Sequence, residues 1–221
     1  MTRKFKLIIS CFLLLGTIIA CSPAPTETGN SSTSNSNNVP VEVPTGWKTI
    51  VGNGVSLSLP SRYEGGNPGK DIKQLEEKLS AINPSYTERI EPIKQRTKAI
   101  ALIAFEPQNS EIKTINNVSV IKDNIPENTD KKSTIETAIR KISSVYEIVE
   151  TEDFTVNDYP GKKIIAQADS QGDLIQILLY LLVDQDNLWL VTYTTTATEF
   201  EQLLPDFEKS VQTFRVEAKS E

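Results

Sequence analysis

Apolar and polar positions change their period several times along this chain, and each change predicts an element. Residues 47–50 are followed by Gly52-Asn53-Gly54 and then by Val55-Ser56-Leu57-Ser58-Leu59. Asn-Gly between short apolar stretches signals a hairpin. The alternation of Val55, Leu57 and Leu59 buries one face of its second strand, which Pro60 stops. Residues 61–69, rich in Gly and Pro, read as a loop. Over residues 71–82 the period becomes helical. Ile72, Leu75, Leu79 and Ile82 form one stripe, and Asp71 stands where a cap is needed. A second short helix is predicted from 85 to about 96, with Tyr86, Ile90 and Ile93 inward, against Pro92, which removes a backbone donor inside it.

Residues 99–105, AIALIAF, are apolar throughout and predict a central strand ended by Pro107. Residues 118–121 predict another strand. Ser133 with Glu136 forms a capping-box pattern for a helix with Ile135, Ala138, Ile142 and either Val145 or Tyr146 inward. In the last third, residues 149–156, 163–169, 175–184 and 188–194 predict four strands. The turns between them, at 157–161, 171–173 and 184–187, are short, which makes adjacent strands antiparallel neighbours. ILLYLLV within the third of these predicts a strand covered on both sides. Thr198 and Glu201 offer a second capping box for a last helix, in which Phe200, Leu203, Leu204, Phe207, Val211 and Phe214 share a face. Pro205 either kinks that helix or marks its start. The order shows no regular β-α-β repeat, so helices covering a central antiparallel sheet are expected, the α+β class.

The chain's first residues follow none of these periods. Arg3, Lys4 and Lys6 precede an uncharged apolar run from 7 to 20, the layout of an export signal. As a helix that run is about 21 Å long, short of the roughly 20 residues that span a hydrocarbon core. A processed signal is expected in place of a permanent span. Ile18-Ile19-Ala20-Cys21 closes the run and resembles the lipobox of bacterial lipoproteins, with Ile18 where Leu is usual. The resemblance implies a diacylglyceryl group on the Cys21 thiol and cleavage just before it. Two or more acyl chains hold a membrane stably, whereas one does not. Residues 1–20 are thus expected to be a lipoprotein signal peptide, 21–41 the lipidated cysteine and a flexible spacer, and 42–221 a single globular domain. The Ser, Asn, Thr and Pro of the spacer cannot repay the entropy of ordering, and fully extended it reaches roughly 65 Å. Cys11 leaves with the signal, so the mature chain is left without a disulfide and must stand on its core.

Charge narrows the partners. The sequence holds 23 basic and 29 acidic side chains; with Arg3, Lys4 and Lys6 lost in the signal, 20 face 29, net −9. This disfavours nucleic acid, which needs clustered positive charge, and leaves the lipid to make the membrane contact. Histidine is absent. With Cys21 acylated, Ser-His-Asp and Cys-His catalysis and the usual Zn or Cu ligand sets are gone. Neither a P-loop nor a Rossmann glycine pattern is present. Asp184 with Asp186, and Asp169 with Asp173, are carboxylates that a hard cation uses, but solvated Asp residues capping hairpin turns are the simpler reading. No catalytic residue, metal or cofactor is expected. Trp189, in an apolar strand, reads as core. Trp47, at the domain edge beside the spacer, either covers one end of the core or faces a partner. Tyr159, in the turn Asn157-Asp158-Tyr159-Pro160, is the second candidate contact.

Several of these features recur together in a known family. Gly46-Trp47 precedes a strand ending in Pro60, Gly161 opens a long antiparallel ladder, and the ladder ends in Leu188-Trp189-Leu190-Val191-Thr192-Tyr193. A helix with Phe200 and Phe207 then leads to SVQTFRV, residues 210–216. Over residues 45–216 this pattern resembles the PsbP-like family, which shares its fold with Mog1. The two-helix stretch from 71 to 96 is longer than the family's. The resemblance implies a central antiparallel sheet between helices, an α/β/α sandwich. It also implies a membrane-tethered accessory protein: cyanobacterial members are lipoproteins on the luminal side of the thylakoid associated with photosystem II, plant members are extrinsic subunits of the oxygen-evolving complex, and other proteins of the fold bind protein partners, including a small GTPase. The expectation is therefore a non-enzymatic accessory or protein-binding domain of a photosynthetic or envelope membrane, exported and anchored on the periplasmic or luminal side, with a protein partner. The alternative is a periplasmic small-molecule or lipid-binding module, which requires an apolar cavity between sheet and helices.

Overall fold

Gly52, Asn53 and Gly54 reverse the chain between β1 (Trp47–Val51) and β2 (Val55–Pro60), as their turn chemistry predicts. The computed structural model describes residues 43–84, 86–107, 116–170 and 172–217, with Arg89 described along its backbone only. The expected signal peptide, Cys21 and the expected spacer lie outside the described residues. Both faces of β2 are buried, where alternation predicted one. Val55, Leu57 and Leu59 enter the main core. On the other side the Ser58 hydroxyl shares a hydrogen bond with Thr49 Oγ1 at 3.1 Å.

The expected loop at 61–69 holds two elements that its composition hides. Glu64–Gly66 is a strand, β3, formed by pairing with β4 (Ile100–Phe105) and not by any side-chain pattern of its own. The first helix, α1 (Pro68–Ile82), starts at Pro68 and not at residue 71. Its cap is Asn67, whose side chain accepts from the Gly69 amide at 2.9 Å, and Pro68 fills a first-turn position whose N–H has no helical partner. Asp71, expected as the cap, instead accepts from the Asn67 amide at 2.8 Å. The second helix, α2 (Tyr86–Lys94), keeps Pro92 inside it and buries Tyr86, Ile90 and Ile93.

The remaining elements are β5 (Asn117–Asn124), α3 (Lys131–Ser143), β6 (Glu147–Val156), β7 (Tyr159–Ser170), β8 (Asp173–Asp184), β9 (Asn187–Thr196), α4 (Phe200–Gln212) and β10 (Arg215–Val216). Neither predicted cap residue caps its helix. Asp130 caps α3 by accepting from the Ser133 amide. Glu199 precedes α4 without a side-chain cap bond, and the Thr198 hydroxyl pairs with Thr196. With Asp130 accepting from the Ser133 amide, α3 starts two residues before Ser133, which puts the serine inside the first turn and out of the cap position. Pro205 lies inside α4 and does not mark its start.

Two sheets result, one of order β1-β2-β10 and one of order β3-β4-β5-β9-β8-β7-β6. Every pairing in them is antiparallel. β4, expected at the centre, is second from the edge. Its apolar run reflects cover on both faces: Leu102 and Ala104 enter the main core, while Ile103 and Phe105 pack with α1 and α2. β8 is interior and covered on both sides, as ILLYLLV predicted. Alternation assigns the rest. Tyr180, Trp189, Val191 and Tyr193 point to the face covered by α4 and the small sheet. Ile177, Leu179, Leu181 and Leu188 point to the face under α3. The architecture is α+β, a large antiparallel sheet with helices packed on it. No helix among the described residues is long and apolar enough to cross a membrane.

Candidate functional site

The two aromatic residues expected at a partner contact occupy different seams. Trp47, half-buried in β1, lies under α4, with Lys209 Nζ 5.6 Å from its ring centroid. A cation over an indole face is held by the ring quadrupole, so part of the ring is already engaged. Tyr159, the first residue of β7, meets Phe214 edge-on with centroids 5.9 Å apart. It is half-buried where β7 passes β10. Trp189 is 2% exposed, as its apolar strand predicted, and stacks edge-on against Phe214 at 6.0 Å.

Polar side chains that sequence reasoning did not single out are gathered along the two flanks of α4. On one flank Arg62, in the loop after β2, pairs with Glu106 beyond β4 and with Asp206 of α4 at 3.3 Å. The other Glu106 oxygen accepts from Asn116 Nδ2 at 3.0 Å, and Asn116 Oδ1 accepts from the Thr195 hydroxyl at 2.7 Å. On the opposite flank Lys163 of β7 pairs with Glu208 of α4 at 2.7 Å and with Glu152 of β6 at 3.1 Å. Burial acts to lower the Lys163 pKa, but the Glu208 and Glu152 carboxylates outweigh it and the net shift is upward. Each cluster holds one cation between two carboxylates, so α4 is clamped on both sides. The Lys163 cluster was legible in principle. A two-residue turn at Asn157-Asp158 sets Glu152 opposite Lys163 and Asp153 opposite Lys162. The Arg62 cluster joins four distant segments and leaves no local signal.

Beneath α4 the interior carries hydroxyls. The Tyr193 hydroxyl donates to Ser210 Oγ at 3.0 Å, and Ser210 Oγ donates to the Ser58 carbonyl at 2.7 Å. The Tyr63 and Tyr180 hydroxyls and the Trp189 indole N–H are buried with no hydrogen-bond partner among the described residues. Burial raises the pKa of Tyr63, Tyr180 and Tyr193 above the ordinary phenol value of 10.0, with the Glu106 carboxylate adding to the shift at Tyr63. The folded chain therefore keeps protons that the unfolded chain loses above pH 10, and stability falls as pH rises beyond that point. An alkaline titration followed by phenolate absorbance is expected to rise in two steps, with these tyrosines ionising only as the domain unfolds. Reversible ionisation of all six tyrosines in one step near pH 10 would contradict this.

Of the aspartates considered as cation ligands, Asp169 uses its carboxylate to hold its turn, and Asp186 contributes a backbone carbonyl. Asp169 Oδ1 accepts from the Gly172 amide at 3.1 Å, and the Asp186 carbonyl accepts from the Ile125 amide at 2.7 Å. No group of three or more His, Cys, Asp or Glu placed to hold a metal occurs among the described residues. A groove of about 560 Å³ opens between α1 and α2, lined by Ile72, Lys73, Glu76, Glu77, Thr87 and Lys94 among others. Lys73, Glu76, Glu77 and Lys94 bring charge to it, although most of its exposed wall is apolar, and Lys94 is bonded to Glu76 at 2.7 Å.

No family model matches this sequence, and no curated protein matches it significantly. Solved structures do resemble it. LpqN of Mycobacterium tuberculosis, described as involved in cell envelope biogenesis, aligns with a TM-score of 0.50 at 9% identity, over 82% of this chain and 88% of that one. Cyanobacterial PsbP from Synechocystis sp. PCC 6803 aligns with a TM-score of 0.45 at 10% identity, over 83% of this chain and 98% of that one. The Ran-binding protein Mog1p of Saccharomyces cerevisiae aligns at 0.43 and 8% identity, over 74% of this chain and 90% of that one. At such identities the likeness is one of fold alone, and the match to LpqN carries it. The chain has a Mog1/PsbP-like fold, as the pattern from Trp47 to Phe214 implied.

Proposed function

We propose that this chain is a non-enzymatic accessory domain that binds another protein at a photosynthetic or envelope membrane, exported and held there by a lipid on Cys21. One observation carries the reading. The clustered polar groups of the described domain, Arg62 with Glu106 and Asp206 and Lys163 with Glu152 and Glu208, are bonded to one another across elements. Their cations are spent on holding α4 to the sheet, which leaves surfaces, and not a reactive cleft, as the means of action. The role in envelope biogenesis printed for LpqN is the kind of setting we have in mind, though at 9% identity the likeness does not transfer that role.

The lipid-binding alternative loses support from the packing. Tyr63, Tyr180, Trp189, Tyr193, Phe200, Phe207 and Phe214 fill the space between the large sheet and α4.

The anchor is tested with Cys21→Ala. The wild type is expected to incorporate labelled palmitate and to sediment with membranes, and the variant to do neither. Equal labelling and sedimentation of the two would remove Cys21 from the proposal. The binding role is tested by affinity capture from detergent-solubilised membranes, where repeated failure to recover a specific partner would count against it.

A further inference from the structure

The large sheet ends at β6, and among the described residues no strand pairs with that strand's outer edge. β6 is ten residues long, and seven of them are exposed. Its opposite number, the β3 edge, is only three residues long. A bulge between Ile148 and Glu150 interrupts the ladder with β7, but from there the register is unbroken over residues 150–156. A regular strand of that kind turns main-chain N–H and C=O groups outward at alternate positions, a ready template for another strand.

Edges are ordinarily blunted by bulges, prolines or charged side chains, lysine above all. Residues 150–156 carry no bulge, proline or lysine; their charges are Glu150, Glu152 and Asp153, which deter an acidic strand and leave the edge open to a basic one. Glu152 and Asp153 are engaged on the inner side by Lys163 and Lys162. Glu150 stands exposed, on the same face as Glu152 and the half-buried Phe154, since alternate positions share a face. The edge thus offers an apolar position and two carboxylates in a row at two-residue spacing.

We propose that the outer edge of β6 takes up an extended basic segment of the partner protein as an added strand. This rests on the reading of the chain as a protein-binding domain, and it names the surface and the partner's chemistry. In antiparallel register the segment reads apolar-x-basic-x-basic, its apolar residue opposite Phe154 and its basic residues opposite Glu152 and Glu150. Main-chain bonds give such an addition its affinity, and alternate side chains give it specificity. Antiparallel pairing of two β6 strands about Thr151 and Glu152 sets Glu150 opposite Asp153, and like charges directly opposite one another repel, which disfavours a second copy of this chain in that central register.

The test uses the full lipidated chain in detergent micelles, titrated with the fluorescent peptide Val-Thr-Lys-Thr-Lys-Thr and with its counterpart carrying Glu for Lys. The Lys peptide is expected to bind, to bind less well as salt is added, and to slow amide exchange across residues 150–156. Glu150→Lys is expected to weaken it roughly tenfold and to leave thermal melting unchanged. No binding of the Lys peptide, equal binding of the Glu peptide, unslowed exchange at 150–156, or full affinity in Glu150→Lys each overturns the proposal. So does sedimentation of the wild type as a dimer whose β6 amides are protected. Capture from solubilised membranes separates the two readings. A specific partner held equally by wild type and Glu150→Lys removes the edge and leaves the accessory role, whereas no partner for the wild type removes the accessory role itself.

Discussion

Gly161→Ala is expected to destabilise the domain by about 3 kcal/mol or more. Gly161 lies in β7, opposite Phe154 on one side and Leu182 on the other. A Cβ built there would sit 1.7 Å from the Leu181 carbonyl oxygen, 2.8 Å from its carbon and 3.1 Å from Leu182 Cα. All three are backbone atoms of an interior strand, so no side chain can swing aside. Moving β8 away strains its ladders with β7 and with β9 together. Urea denaturation followed by tryptophan fluorescence should show a lower midpoint with an unchanged slope. Gly172→Ala is the control. Nothing lies within 4 Å of a Cβ there, but the residue holds φ +91°, so only backbone strain of about 1 kcal/mol is expected. Equal losses in the two variants would show that the close approach to β8 is not what requires glycine at 161.

The second large effect is expected at Ser210. β10 pairs with β2 only at Val55 and Ser56, and beyond it two α4-end hydroxyls take the place of a strand. The Ser58 amide donates to Thr213 Oγ1 at 2.7 Å, and the Ser58 carbonyl accepts from Ser210 Oγ. Ser210→Ala strands that carbonyl and the Tyr193 hydroxyl together in the interior, at about 2–4 kcal/mol. Tyr193→Phe alone leaves the Ser210 bond to Ser58 in place and should cost about 1 kcal/mol. In the Tyr193→Phe background, Ser210→Ala strands one group fewer. The double-mutant cycle is then expected to show coupling of about 1–2 kcal/mol. Strict additivity would mean that the three groups do not act as one chain of bonds.

Gly161 and Ser210 also show how far a single sequence can be read. Both belong to the pattern that carries the family resemblance, Gly161 opening the ladder and Ser210 opening SVQTFRV. Their positions were visible, but the reasons for them were not. Gly161 is required by a carbonyl twenty residues further along the chain, and Ser210 by a strand more than 150 residues before it. The candidate contacts fared likewise. Trp47 and Tyr159 were found by type and position, yet Lys209 over one ring and Phe214 against the other come from remote segments. Caps were misplaced for a related reason. Ser133 and Thr198 satisfy the local rule, and Asp130, together with the course of the chain into α4, decided otherwise.

What the sequence determined by itself was whatever depends on neighbours along the chain. Period-two alternation, short turns and helical stripes established the hairpins at both ends of the domain, the last four long strands and the four helices of the described residues. The absence of histidine and the net charge of −9 over residues 21–221 restricted the chemistry, and the apolar run before Cys21 supplied the expectation of a lipid anchor. What only the tertiary structure decided was which strand stands beside which. It placed β4 near an edge although its residues are wholly apolar, because cover on two faces produces the same composition as a central position. It made a strand of Glu64–Gly66 through pairing alone. It also left β6 as the long open edge, a property of strand order that no alternation records, since an edge strand and its paired neighbour show the same period of two.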